Sequence, residues 1–358
     1  MVESNVMIRK LVVEGVTVFP QEVSFDFVPG INVIVGGNDS GKSHLMKLCY
    51  ALGRWGEKSI RRDFPETWAE ERRLHRHLLR AFGAQEIASL VSRHSTDGEA
   101  RVHASLQGEK APIGSAELEF VFSAAGEALR ITTMPQRFLQ ENALFIPPRE
   151  ALSLFPYYIQ VGKRYPDLPD AQSWDLCSAL ENDPTAPQDE EMARVQKRIE
   201  AMMHGRLLRQ NARFVLQRGH EAPMELSLVA EGVKRLGTVG LLAANGALRP
   251  GSTLYWDEPE MNLNAAQLPE LCGIMLHLCR AGVQMILTTH SLFLLRELVI
   301  RLGQPGWRDL SRRFIGLQPG QAVSVTAGDT PDDIGPLDSL EAEMAQADRY
   351  LRMSNTPS

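Results

Sequence analysis

The sequence predicts an α/β fold with a mostly parallel sheet core, an antiparallel β lobe near the N-terminus and a short helical insertion. Three observations carry this. "PGINVIV", "STLYW" and "VQMILTT" are short apolar runs, the pattern of strands buried on both faces of a parallel sheet. Each is followed by a helical stretch, as in strand–turn–helix units. "IRKLVVEGV", "EVSFDF", "RVHASL", "AELEFVF" and "ALRITTM" instead alternate or cluster apolar residues at strand spacing, as in a meander.

The elements follow in order. After the first strands, residues 42–53 read as a helix and residues 54–82 as a charged, mostly helical stretch. "ALFIPP" is a short strand closed by two prolines. Residues 151–212 read as Pro- and Asp-rich linkers flanking one helix near 188–204. Strands resume at "ARFVLQ" and "MELSL", a helix covers 231–244, and the tail from about residue 338 is an amphipathic helix. This divides the chain into an N-terminal lobe (1–150), a helical insertion (151–225), a C-terminal lobe (226–337) and a helix with tail (338–358).

With 358 residues and 44% hydrophobic content the chain can bury a sizeable core. A net charge of -6 argues against a general nucleic-acid coat, though not against a local basic face. Cys49, Cys177, Cys272 and Cys279 are scattered. Only the last two are close, at a spacing that suits a core-facing helix, so a reducing cytoplasm is expected. The N-terminus lacks a signal-peptide pattern, and no apolar run reaches the ~18 residues of a membrane span.

Gly36, Gly37, Asn38, Asp39, Ser40, Gly41, Lys42 and Ser43 fit G-x-x-x-x-G-K-[ST] between a strand and a helix, the signature of a P-loop NTPase. Glycines let the backbone wrap closely and turn its N–H groups toward phosphates, and the helix adds the positive end of its dipole. Lys42 is a point charge for the β and γ phosphates, Ser43 a hydroxyl for Mg2+, and His44 opens the helix behind the loop as part of the ATP-binding set. In "STLYWDEPEMNLN", Asp257 and Glu258 end an apolar strand. Asp257 suits holding a metal-bound water or Ser43, and Glu258 suits polarising an attacking water. Neighbouring carboxylates on a strand point to opposite faces, so they are expected to differ in role. His290 ends the next apolar strand, at the sheet edge where ligands bind, and can donate to a γ-phosphate or orient water.

These sites, in this order and with about 210 residues between Ser43 and Asp257, resemble the ATP-binding-cassette type of ATPase. "GINVIVGGNDSGKSHLMKLCYAL", "LVAEGVKRLGTVGLLAANGALRPGSTLYWDEPEMNLN" and "AGVQMILTTHSLFLLREL" resemble the group of overcoming-lysogenization-defect (OLD) proteins and chromosome-maintenance and recombination-repair ATPases. The resemblance implies a homodimer that closes around ATP and opens after hydrolysis. It also implies a signature segment, "LVAEGVKRL", in which Gly232 meets the γ-phosphate held by the opposite subunit. Ala230 stands where the family often has serine, so a hydroxyl contact is missing. By the same resemblance, Asn262 and Leu263 fall where the family's dimer-contacting loop lies, and Arg149 and Glu150 fall near its metal-sensing segment. A plain structural reading, with Arg149 capping a proline-broken strand, stands beside the last assignment.

Arg54, Lys58, Arg61, Arg62, Arg72, Arg73, Arg76 and Arg80 crowd one segment. This is either a solvated helix with internal ion pairs or a phosphate-tracking face, with Arg72, Arg73 and Arg76 as its nucleic-acid contacts. Relatives with their own nuclease carry a Toprim domain after the ATPase. Only about 60 residues follow "THSLFLLREL", short of the ~100 of an ordinary domain, and "GDTPDD" reads as a turn. The expectation is an ATPase motor or sensor that acts with a separately encoded nuclease or toxin-like effector, in phage defence or DNA maintenance. The alternatives are a transporter's nucleotide-binding subunit, whose Leu-Ser-Gly-Gly-Gln signature is absent, and an ATP-binding switch with little turnover.

Overall fold

The computed structural model describes residues 6–58, 67–108, 116–126, 128–135, 142–164, 171–183, 190–210, 213–320, 322–335 and 338–354. A six-stranded sheet forms the centre. It contains β3 (Ile31–Gly36), β7 (Asn142–Ile146), β11 (Ser252–Asp257), β12 (Gln284–Thr289), β13 (Arg312–Gln318) and β14 (Ser324–Gly328), in the order β14-β13-β3-β12-β11-β7. Only β14 runs antiparallel to its neighbour. β3, β11 and β12 are buried at every position, which explains their unbroken apolar character.

The two-residue period of these strands divides the core. Val33, Val35, Leu254, Trp256, Met285 and Leu287 face one cluster, and Ile34, Tyr255 and Ile286 face the other. The second cluster takes in α1 (Lys42–Lys58), α2 (Thr67–Phe82) and the antiparallel lobe. That lobe is a five-stranded sheet of β1 (Val6–Glu14), β2 (Val23–Asp26), β4 (Glu99–Gly108), β5 (Glu117–Ser123) and β6 (Arg130–Thr133), ordered β2-β1-β4-β5-β6. The mostly parallel core and the antiparallel lobe are as expected.

Residues 151–225 differ from a lone helix between linkers. They contain α3 (Phe155–Arg164), α4 (Ala171–Ala179) and α5 (Glu190–Met203), then β8 (Arg206–Gln210), β9 (Arg213–Gln217) and β10 (Met224–Glu225), paired as β10-β9-β8. "MELSL" is therefore a two-residue strand followed by a 3-10 turn over Leu226–Leu228. The segment packs against the central core. Met192, Val195, Ile199 and Met203 of α5 are buried in the same cluster as Leu236 and Val239 of α6 (Glu231–Ala244) and Leu271 and Met275 of α7 (Leu268–Arg280). Apolar spacing of three and four residues on α5 finds its partner faces on those helices. α8 (Leu292–Leu302) follows β12, and α9 (Asp338–Ser354) closes the chain.

Candidate functional site

The loop joining β3 to α1 wraps on itself. Ser40 Oγ donates to the Gly37 carbonyl at 2.9 Å, and Lys42 Nζ donates to the carbonyls of Gly36 and Gly37, each at 2.7 Å. Asp39 (φ 63°) and Gly41 (φ 91°) take left-handed backbone, and a Cβ at Gly41 would sit 2.5 Å from Val18 Cγ2. Glycine is required there by both conformation and space, whereas aspartate is among the few side chains that tolerate such a φ. Asn38 and Asp39 are exposed at the tip. Burial pushes the Lys42 ammonium below its ordinary value, opposed by the carboxylates of Glu258, Asp257 and Glu260. His44 points into the packing behind the loop, with its ring 5.9 Å from Phe82, and burial lowers its pKa. Thr17, Val18, Asp39, His44, Phe82 and Arg93 contribute to the walls of a cleft of about 1270 Å³ beside the loop.

Register brings the distant motifs together. Thr288 pairs with Asp257 on one side and with Ile34 on the other, so the ends of β3, β12 and β11 lie side by side. Ser43 Oγ donates to Asp257 Oδ2 at 3.2 Å across 214 residues of sequence. Thr288 Oγ1 donates to Asp257 Oδ1 and accepts the Glu258 N–H at 3.2 Å. Glu258 lies just beyond the strand with φ 48°, and its Oε1 is 3.0 Å from His290 Nδ1. The two carboxylates thus take separate partners, and for Glu258 the left-handed turn sets the direction. A hydroxyl and a carboxylate are hard oxygen donors suited to Mg2+, which commonly takes one or two protein ligands and keeps waters or phosphate oxygens for the rest. No cluster of three or more His, Cys, Asp or Glu arranged for a metal occurs among the described residues.

Ala230 is the N-cap of α6 and provides no side-chain hydrogen bond. Gly232 is buried, and a Cβ there would lie 2.3 Å from the Asn262 carbonyl oxygen. Asn262, itself left-handed (φ 64°), donates from Nδ2 to Glu231 Oε2 at 2.8 Å. The structure therefore joins the Ala230–Gly232 segment to the Asn262 loop within one chain. Glu150 accepts the Ser153 N–H at 3.1 Å and lies 3.9 Å from Lys234 Nζ, so its described partners are its own turn and α6. Arg149 is exposed.

Sequence reasoning missed Arg235. Its buried guanidinium donates to the carbonyls of Asp257 (2.8 Å), Glu258 (2.9 Å), Met261 (3.3 Å) and Pro147 (3.5 Å), tying α6 to the acidic turn. Burial lowers its pKa, opposed by Glu260, Asp257, Glu258 and Glu231. The available signal was Lys234-Arg235 inside an otherwise apolar helix. Thr288, Thr289 and Glu260 were missed as well.

The expected nucleic-acid face needs one correction. Arg73 turns inward, paired with Glu70 at 2.9 Å, bonded to the Trp55 carbonyl and placed 5.5 Å from the Trp55 ring centroid. Arg54 and Arg80 pair with Asp175 of α4. Arg72 and Arg76 are exposed four residues apart on α2. The side chain of Lys58, and Arg61 and Arg62, lie outside the described residues.

Residues 49–296 match the family model described as "AAA domain, putative AbiEii toxin, Type IV TA system". That span begins just after the phosphate loop and contains Asp257, Glu258 and His290. A search of the curated proteins returns no match. Among solved structures, the chain is similar to an SmcHead bound to the C-winged helix domain of ScpA, with TM-score 0.54, 15% identity, and coverage of 91% of this chain and 98% of that one. It is also similar to an Smc head domain with an extended coiled coil bound to the C-terminal domain of ScpA, derived from Pyrococcus furiosus. There the TM-score is 0.51 and the identity 14%, with coverage of 96% and 99%. At such identities the likeness is one of fold.

Proposed function

The chain belongs to the AAA domain family described for AbiEii-type toxins, and from that premise we propose that it is an Mg2+-dependent ATPase that dimerises around ATP. The observation that supports this best is the meeting of Ser43, Asp257, Glu258 and His290 at the ends of three adjacent parallel strands. In this reading the backbone N–H groups of residues 37–41 and the Lys42 ammonium hold the β and γ phosphates. Ser43 and Asp257 would hold Mg2+, which would supply charge neutralisation for the phosphates. Glu258 accepts the proton of the attacking water, and His290 orients Glu258 through the 3.0 Å contact. Gly232 and the first turn of α6 face the nucleotide of a second copy.

The OLD-like and repair-ATPase resemblance supports a motor or sensor that acts with a separately encoded effector, nuclease or toxin-like, in phage defence or DNA maintenance. The family description, which names a toxin and a Type IV TA system, favours such a two-component arrangement. Nucleic acid is a candidate ligand through Arg72 and Arg76. A second reading, an ATP-binding switch with little turnover, is favoured by the unaided N-cap at Ala230.

The test is ATP turnover by the wild type beside Glu258→Gln, with molar mass followed by light scattering with and without ATP. The ATPase reading expects turnover in the wild type, a drop of ~100-fold or more in the variant, and an ATP-trapped dimer. ATP binding without turnover in either protein favours the switch. No ATP binding at all overturns both readings.

A further inference from the structure

The last two residues of β12 and the one after it each engage a different carboxylate of the acidic turn. Thr288 holds Asp257, Thr289 holds Glu260, and His290 meets Glu258. The first and third contacts belong to the site already described, and the middle one does not. We propose that Glu260 and Thr289 are a positioning pair, holding the turn that carries Glu258 in register with the loop that carries His290. This rests on the ATPase reading above.

The geometry is specific. Thr289 Oγ1 donates to Glu260 Oε1 at 2.5 Å and accepts the Ser291 N–H at 2.9 Å. A hydroxyl has one proton, and with Ser291 donating to this oxygen that proton is free for Glu260. Ser291 in turn caps α8 by accepting the Leu294 N–H at 3.3 Å. The pair therefore fixes both sides of His290. On the acidic side, Glu260 sits in a turn whose backbone is left-handed at Glu258 (φ 48°) and Asn262 (φ 64°), so external contacts must hold that conformation. Met261 N–H bonds back to Glu258 and Leu263 N–H to Glu260, which makes the turn one rigid unit for Glu260 to anchor. Glu260 Oε2 is buried without a hydrogen-bond partner among the described residues. Burying a carboxyl on one hydroxyl contact is costly, and a site that must place Glu258 accurately gives a reason to retain it. Burial also raises the Glu260 pKa, an effect that the Thr289 hydrogen bond partly offsets.

The experiment compares Thr289→Val, Glu260→Ala and Glu260→Gln in the full chain. It reads kcat and KM for ATP, affinity for a fluorescent ATP analogue, and amide hydrogen exchange over residues 258–263. Thr289→Val and Glu260→Ala are expected to lower kcat by ~10- to 100-fold while KM and analogue affinity stay within about twofold. Exchange over 258–263 rises in both. Glu260→Gln keeps an acceptor oxygen for Thr289 and is expected to restore kcat to within about threefold of wild type. Unchanged kcat and exchange in the first two variants overturn the pair. So does a loss of kcat matched by an equal loss of analogue affinity and a lower unfolding midpoint, which marks a merely structural role. If the wild type shows no turnover that Lys42→Ala removes, the ATPase reading fails. The pair then has no reaction to position for and falls with that reading, whatever the exchange over 258–263 shows.

Discussion

Arg235 shows how one buried charge organises the site. Its guanidinium bonds to four backbone carbonyls, three of them in the segment from Asp257 to Met261. Carbonyls cannot neutralise a cation by proton transfer, so the charge is stabilised by hydrogen bonds and by the field of Glu260, Asp257, Glu258 and Glu231. Replacing Arg235 by leucine keeps apolar volume but leaves those carbonyls short of donors. The expected cost is about 2–4 kcal/mol in urea unfolding, well above an ordinary surface change. A loss below about 0.5 kcal/mol would mean that the acidic turn holds its shape without α6. Lys42 was legible because its neighbours form a contiguous motif with a strand before and a helix after. Arg235 was not, because its partners at 147, 257, 258 and 261 are assembled only by the fold.

At the scale of elements, α6 and α2 each carry a testable consequence. α6 begins at Ala230 with backbone already suited to an N-cap (φ -59°, ψ 143°) but without a side-chain acceptor for its first N–H groups. Ala230→Ser should stabilise the chain by ~1 kcal/mol in chemical denaturation. In the dimer reading it should also increase the ATP-dependent dimer fraction. A stability gain with no change in dimer fraction would confine the effect to the helix. On α2, the described arginines divide by face. Arg73 and Arg80 are committed to Glu70, Trp55 and Asp175, while Arg72 and Arg76 point outward. Reversing only Arg72 and Arg76 to glutamate should leave the unfolding midpoint nearly unchanged. If this face tracks DNA phosphates, the slope of log affinity against log salt should fall by ~2. Arg73→Glu should instead destabilise the fold, since it places a carboxylate beside Glu70. Equal DNA affinity in the double variant and the wild type would remove α2 as a nucleic-acid surface.

At the scale of the whole molecule, what was legible follows the range of the interactions. The parallel core could be read from runs such as 31–35 and 252–256, because burial on both faces makes a strand uniformly apolar. β13, "RRFIGLQ", was missed because polar ends mask a strand that exists through its pairing with β3. α3, α4 and β8 were missed because short segments between prolines and aspartates owe their structure to the cluster they complete. Burial also reaches three histidines: His44 and His75 are half-buried and His277 is buried. Burial is the leading cause that pushes His44, His75 and His277 below their ordinary value of 6.5. For a depressed histidine the unfolded chain binds the proton more readily, so stability is retained above pH 6.5 and is lost as pH falls below it. Glu260, with its pKa raised by burial, works the other way: its protonated folded form gains ground as pH falls toward 4.5. The histidine loss begins at 6.5, at the top of this range, and is the contribution expected to lead just below it. The urea midpoint should therefore be lower at pH 5.5 than at pH 7.5, with an unchanged m-value. His44→Phe keeps a ring against Phe82 and removes one titrating group, so the gap between the two midpoints should narrow. Equal midpoints at both pH values in the wild type and also in Glu260→Gln, where the opposing carboxyl is gone, would overturn the histidine contribution.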